Sequence, residues 1–192
     1  NLVWLAKDDP DEGERQAAAA LDVWSQHGFH RQHFSALLAR VQTSLYRGAA
    51  ESAWQSIEAA WPALEKSFLL RVETLRVEAC YLRARAALAL AAEPQDRDRW
   101  LHLARQATRR IAAVGVCWSD AVARLLGGAI AHLEGDQSRA VNELALAARG
   151  FDQADMKLYA AAARRRLAAL GSAGADDPAR AATDWMIRQD IV

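Results

Sequence analysis

The segment RLLGGAIAHLEGDQSRAVNELALAARGF, Arg124–Phe151, decides the fold. Gly135-Asp136 is a turn signal between two runs with apolar residues at helical spacing. Alanine, leucine, arginine, glutamate and glutamine dominate the chain, and these side chains lose little entropy in a helix. Gly128 stands in the first run, and Ala140 and Ala147 in the second, where two backbones packing closely need small residues. The segment therefore reads as two antiparallel helices in tight contact.

The same arrangement recurs around Gly48, where Ala53 and Ala60 take the two small places of the second helix. Small residues at these places and a glycine turn are the spacing of a tetratricopeptide unit. The large aromatic positions of that motif are filled differently, by Arg124 and Ala131 in one hairpin and by Leu37 and Ser44 in the other. An irregular bundle with alanine-rich interfaces is the competing reading of the same residues.

The remaining chain supports helices almost everywhere, with only four prolines and ten glycines in 192 residues. Asp9-Pro10 gives an N-cap and a proline at the first helical position, starting a helix that runs to about Gln26 ahead of Gly28. Helices follow over His30–Arg47 and Ala49–Leu64, with Pro62 expected to kink the latter or end its regular part. Ser67–Ala92 reads as one long helix, and Glu93-Pro94-Gln95-Asp96 breaks the chain before Asp98–Val114. Ser119 caps a helix over Asp120–Glu134, after which come Ser138–Gln153, Met156–Leu170, a loop at Gly171–Gly174 and a last helix opened by Asp177-Pro178. The expected fold is all-α. About nine helices form antiparallel hairpins stacked as a tetratricopeptide-like right-handed superhelix, an α-α solenoid making one domain over residues 1–192.

Lysine plus arginine equals aspartate plus glutamate at 24 each, so no global field draws the chain to nucleic acid or an anionic membrane. The longest apolar run, Ala86–Ala92, is far short of the roughly 20 residues that span a bilayer. Cys80 and Cys117 show neither a disulfide framework nor a zinc spacing, and Asn1–Asp9 lacks the pattern of a signal peptide. A cytoplasmic protein is expected. The chain opens without a methionine close to a helix, which fits a piece of a larger polypeptide.

Several stretches resemble one family: Gly135-Asp136, Ala140, Leu144, Ala147, Phe151, Ala154-Asp155-Met156, Leu158 to Leu167 with Arg164-Arg165-Arg166, and Ala182 with Asp184-Trp185-Met186. So do Arg71 to Ala79, Leu82-Arg83-Ala84-Arg85 and Phe34 to Gly48. Together they resemble the C-terminal helical repeat region of large bacterial serine/threonine protein kinases. The resemblance implies an interaction or regulatory arm in bacterial signalling. No kinase residue carries over, because the sequence has no Gly-rich loop, no His-Arg-Asp loop and no Asp-Phe-Gly.

Chemistry-bearing residues are sparse. His30 and His33 fall on one helix face beside His27, a spacing compatible with a metal pair, but no third ligand accompanies them and ordinary surface or capping histidines beside Gly28 are the favoured reading. Cys117 before Ser119-Asp120, with His102 in the preceding helix, is a thin nucleophile constellation, and a packing cysteine is favoured. Gly127-Gly128 lies mid-helix and is no phosphate loop. No catalytic residue, metal or cofactor is assigned.

Of seven tryptophans, Trp24, Trp54, Trp61 and Trp100 sit on apolar stripes and are expected in the core, whereas Trp4 and Trp185 are candidates for exposed docking. Arg164-Arg165-Arg166 with Arg109-Arg110 reads as a solvated basic surface, the alternative being a site for an acidic partner. The expected function is non-catalytic binding of a protein or peptide along a concave side lined by the first helix of each hairpin. Gln42, Tyr46, Arg76, Tyr81, Arg83 and His132 are its candidate contacts. The alternative is a small-molecule-sensing repeat domain of a bacterial signalling or transcription regulator, which needs a closed apolar pocket. A plain spacer would carry neither.

Overall fold

The computed structural model describes residues 2–25, 27–171 and 178–191, and over these the chain is all-helical. Ten α-helices and one 3-10 turn occur in the order α1 (Leu2–Ala6), α2 (Pro10–Asp22), α3 (Arg31–Tyr46), α4 (Ala50–Lys66), the 3-10 turn (Leu69–Arg71), α5 (Glu73–Ala91), α6 (Arg97–Ala112), α7 (Cys117–Leu133), α8 (Gln137–Gln153), α9 (Lys157–Ala169) and α10 (Pro178–Ile187). The helix beyond the expected nine is α1. Among the described residues, no helix is long and apolar enough to cross a membrane. The packing divides into two compact units, residues 1–100 and 101–192.

In the second unit, α7 and α8 form the hairpin expected around Gly135. The Gly135 N–H donates to the His132 carbonyl (3.0 Å) and the Asp136 N–H reaches back five residues to Ala131 (2.9 Å). Asp136 then caps α8, its Oδ1 accepting the Arg139 N–H at 3.0 Å. The two glycines at opposite ends of the contact explain the close approach. A Cβ at Gly128 would stand 2.8 Å from Leu144 Cγ, and one at Gly150 would stand 2.9 Å from Ala121 Cβ. Leu126, Ile130, Ala140, Leu144, Ala147 and Phe151 are buried in this unit. Helix α9 packs on α8, with the Phe151 and Tyr159 rings 5.3 Å apart, and α10 packs on α9 through Ala161, Ala182 and Met186.

The first unit repeats the turn. The Gly48 N–H donates to Leu45 (3.2 Å) and the Ala49 N–H to Ser44 five residues back (2.8 Å). Ala53 follows Gly48 by the same five residues as Ala140 follows Gly135, and both are fully buried. Helix α5 packs on α4 and α3 and is buried on almost every side, from Leu75 through Val77, Cys80, Leu82 and Ala84 to Ala91. Trp54 and Trp61 lie in this core as expected and Trp100 is half-buried, but Trp24 is 40% exposed.

Several boundaries differ from the sequence reading, most by one or two residues at helix ends. Helix α2 stops at Asp22 because no core-facing residue continues it, and the next apolar residue, Val23, is 86% exposed. Pro62 does not end α4, which continues to Lys66. The long helix expected from Ser67 is interrupted: the Ser67 hydroxyl donates to the Leu64 carbonyl (2.6 Å) and accepts the Leu69 N–H (3.3 Å), and Phe68 adopts a left-handed backbone with φ of 62°. The regular part starts only at Glu73. Helix α7 begins at Cys117 rather than after Ser119, whose buried hydroxyl reaches back to the Val116 carbonyl at 3.0 Å. Helix α6 begins one residue before Asp98, at Arg97. The expected helix end at Gln26, the Asp177 expected to open the last helix and most of the Gly171–Gly174 loop lie outside the described residues.

Candidate functional site

The six candidate contacts lie on three helices, five of them in the first unit and one in the second. On α3, Gln42 and Tyr46 lie one turn apart, and the exposed Tyr46 hydroxyl donates to Asp8 Oδ1 at 2.5 Å. That hydrogen bond to a carboxylate raises the Tyr46 pKa above the ordinary phenol value, so the group is held as a protonated donor. On α5, Arg76 and Arg83 are seven residues apart and share a stripe, whereas Tyr81 points elsewhere. Burial raises the Tyr81 pKa, partly offset by the Arg85 guanidinium, which lies 5.4 Å from the ring centroid. His132 is exposed at the end of α7, in the second unit.

Arg83 is engaged within its own chain. Its guanidinium lies 4.4 Å from the Trp61 ring centroid and 5.3 Å from that of Trp54, and it donates to Glu58 Oε1 at 2.8 Å. Trp54 meets Trp100 edge-on at 5.1 Å, and Trp61 Nε1 donates to Glu65 Oε1 at 2.8 Å. Only 19% of the Arg83 side chain is exposed. The cluster ties α5 to α4 by cation-π stacking and by the packed arginine stem. Arg83→Ala is therefore expected to destabilise the chain by about 1–3 kcal/mol and to shift tryptophan emission to the red, as read by urea unfolding and fluorescence. Arg83→Lys recovers only part of the loss, because an ammonium cannot stack as a plane on both rings.

Two open clefts also occur, one in each unit. In the first unit a groove of about 490 Å3 runs between the end of α2, the start of α3 and the middle of α4. Phe29 and Leu37 supply its apolar wall, Ala59 and Ala60 its low floor, and His33, Arg40 and Gln55 its polar groups. His33 is fixed by the helix start, with its Nδ1 accepting the His30 N–H at 3.0 Å and its ring 5.6 Å from Phe29. The His30 ring nitrogen Nε2 contacts the His27 carbonyl at 2.8 Å. His33 thus closes the start of α3 and His30 holds the chain just before it, and among the described residues no three His, Cys, Asp or Glu side chains are grouped to hold a metal ion.

In the second unit a cleft of about 460 Å3 lies between α9 and α10, near the end of α8. Lys157, Ala161 and Arg164 face it from α9, and Ala181, Ala182, Trp185 and Arg188 from α10 and the residue after it. Of the Arg164-Arg165-Arg166 run, Arg164 enters the cleft and ion-pairs with Asp152, while Arg165 donates to Met186 Sδ at 3.5 Å. Cys117 is exposed rather than packed, and no hydrogen bond joins it to His102. Arg40, Gln55, Lys157 and Arg188 escaped the sequence reading. The available signal was spacing, since Lys157, Ala161, Arg164 and again Ala181, Trp185, Arg188 recur at i, i+4, i+7 with small and cationic residues on one stripe. Against known protein families, curated proteins and solved structures, the chain finds no match.

Proposed function

We propose that this chain is a non-catalytic protein-interaction module, an α-α repeat that receives a segment of a partner protein, and that it forms the helical arm of a large bacterial serine/threonine kinase. The groove between α2, α3 and α4 carries the first part of this reading. It combines an apolar wall of Phe29 and Leu37, an alanine floor, and Arg40, Gln55 and His33 as orienting polar groups. Its volume of about 490 Å3 suits one or two side chains of a peptide, and its open mouth lets the peptide backbone continue past it. The second part is supported by the resemblance of Gly135 to Leu167 and Arg71 to Arg85 to the kinase repeat region.

Selection of a displayed random peptide library on the purified chain tests the groove, with an Ala60→Trp variant selected in parallel. A peptide consensus with an apolar anchor that is enriched on the native chain and lost on the filled groove is the expected result. Absence of any consensus, or one that survives Ala60→Trp, sinks the assignment. The parental reading is tested by sequencing the reading frame upstream of Asn1. A kinase domain bearing a His-Arg-Asp loop is expected there, and any other domain would overturn it.

A further inference from the structure

We propose that the cleft between α9 and α10 is a second docking site, for an acidic peptide segment of another protein that inserts one large apolar side chain against Trp185. The chemistry of the lining selects this occupant. The chain as a whole balances 24 cations with 24 carboxylates, yet this cleft gathers Lys157, Arg164 and Arg188 against the single carboxylate of Asp152. Arg188 has no ion-pair partner among the described residues. Lys157 sits 3.5 Å from Asp155, but both side chains are well exposed, at 68% and 85%, so that pair is weak and readily exchanged. Arg164, paired with Asp152, is oriented at the rim and keeps donors for a second acceptor.

Between the cations the surface is apolar. Ala161 and Ala182 form a floor too low to fill the space, and Ala181 leaves the same gap on the α10 side. The half-buried indole of Trp185 walls the notch and belongs to the small core of Ala161, Ala182 and Met186 that holds α10 on α9. A leucine-sized side chain entering here removes its own surface and part of the indole from water, while acidic neighbours meet guanidinium groups on the rim. An inorganic anion would use only the rim, and an uncharged apolar peptide only the floor. The site stands on its own lining and does not depend on the groove of the first unit.

Fluorescence anisotropy of a dye-labelled peptide, glutamate and aspartate residues flanking one leucine, tests this on the full chain at low ionic strength. Saturable binding is expected, weakened about tenfold by Arg188→Glu. Ala181→Trp, which fills the notch without changing charge, is expected to do the same, and circular dichroism checks that both variants keep their helicity. Arg109→Glu, an equal charge change outside the cleft, is expected to leave affinity within about twofold. Lack of saturable binding overturns the proposal, as does equal weakening by Arg109→Glu. So does undiminished binding of a peptide with glycine in place of the leucine, because the notch would then be unused.

Discussion

Phe151→Ala is expected to lower the unfolding free energy by about 3–5 kcal/mol, the largest single effect of any substitution considered for this chain. The side chain is fully buried at the end of α8, and its ring lies 5.3 Å from that of Tyr159 on α9. Its backbone also forms the next turn, since the Phe151 carbonyl accepts the Met156 N–H at 2.8 Å. Truncation removes the transfer free energy of the ring and leaves a cavity at the junction of two helices. Because natural domains are stable by only about 5–15 kcal/mol, this one change takes much of the margin. Urea unfolding is the measurement, with the midpoint falling at an unchanged slope and Tm dropping on the order of 10 °C. Phe151→Leu, which keeps most of the volume, is expected to lose less than half as much. An alanine variant as stable as the native chain would show that α8 and α9 do not share this core.

The sequence made the hairpins legible where glycine marks the turn. Gly48 and Gly135 have φ of 74° and 81°, conformations that glycine enters without cost, and both hairpins could be placed from them. The turn between α8 and α9 repeats the same five-residue hydrogen bond with Asp155 in the left-handed position at φ of 54°, and the sequence reading places that break too, between Gln153 and Met156, aspartate being among the residues that tolerate this conformation. The break at Phe68, by contrast, was hidden. A bulky residue at φ of 62° runs against every local preference, and the Ser67 hydroxyl that ends α4 looks like any other serine.

The candidate contacts were harder to read because they assumed a polar face on α5. That helix has no such face. Arg76, Glu78, Tyr81, Arg83 and Arg85 are all half-buried and lie between buried residues around the helix, so periodicity does not separate a ligand side from a packing side. Arg83 then turns toward Trp54 and Trp61, a pairing set by helix-on-helix placement that spacing along one strand of sequence does not contain. The α9 and α10 cleft had half its signal in view. Trp185 and the arginine run stood out individually, and only the packing of α10 on α9 brings Arg164, Trp185 and Arg188 to one notch.

Neighbouring glycines in α7 are expected to respond with opposite signs. A Cβ at Gly128 meets Leu144 Cγ at 2.8 Å and Cδ2 at 3.1 Å, and lies 3.3 Å from the Ala140 carbonyl oxygen. Leu144 is itself buried, so its side chain has little room to retreat, and the carbonyl belongs to the backbone of α8. Gly128→Val therefore forces α7 and α8 apart along their tightest contact, and a loss of about 2–3 kcal/mol is expected. At Gly127 the added Cβ meets only the Glu143 side chain, at 3.6 Å or more, which is ordinary contact with a group that can move. There the removal of a helical glycine dominates, and Gly127→Ala is expected to stabilise by about 0.5–1 kcal/mol. Paired thermal melts of the two variants check the geometry directly, since composition and helix propensity alone predict that both gain or both change little. Equal shifts would mean that α7 and α8 do not meet at Gly128, and the register that places Ala140 and Ala147 beneath α7 would fall with it.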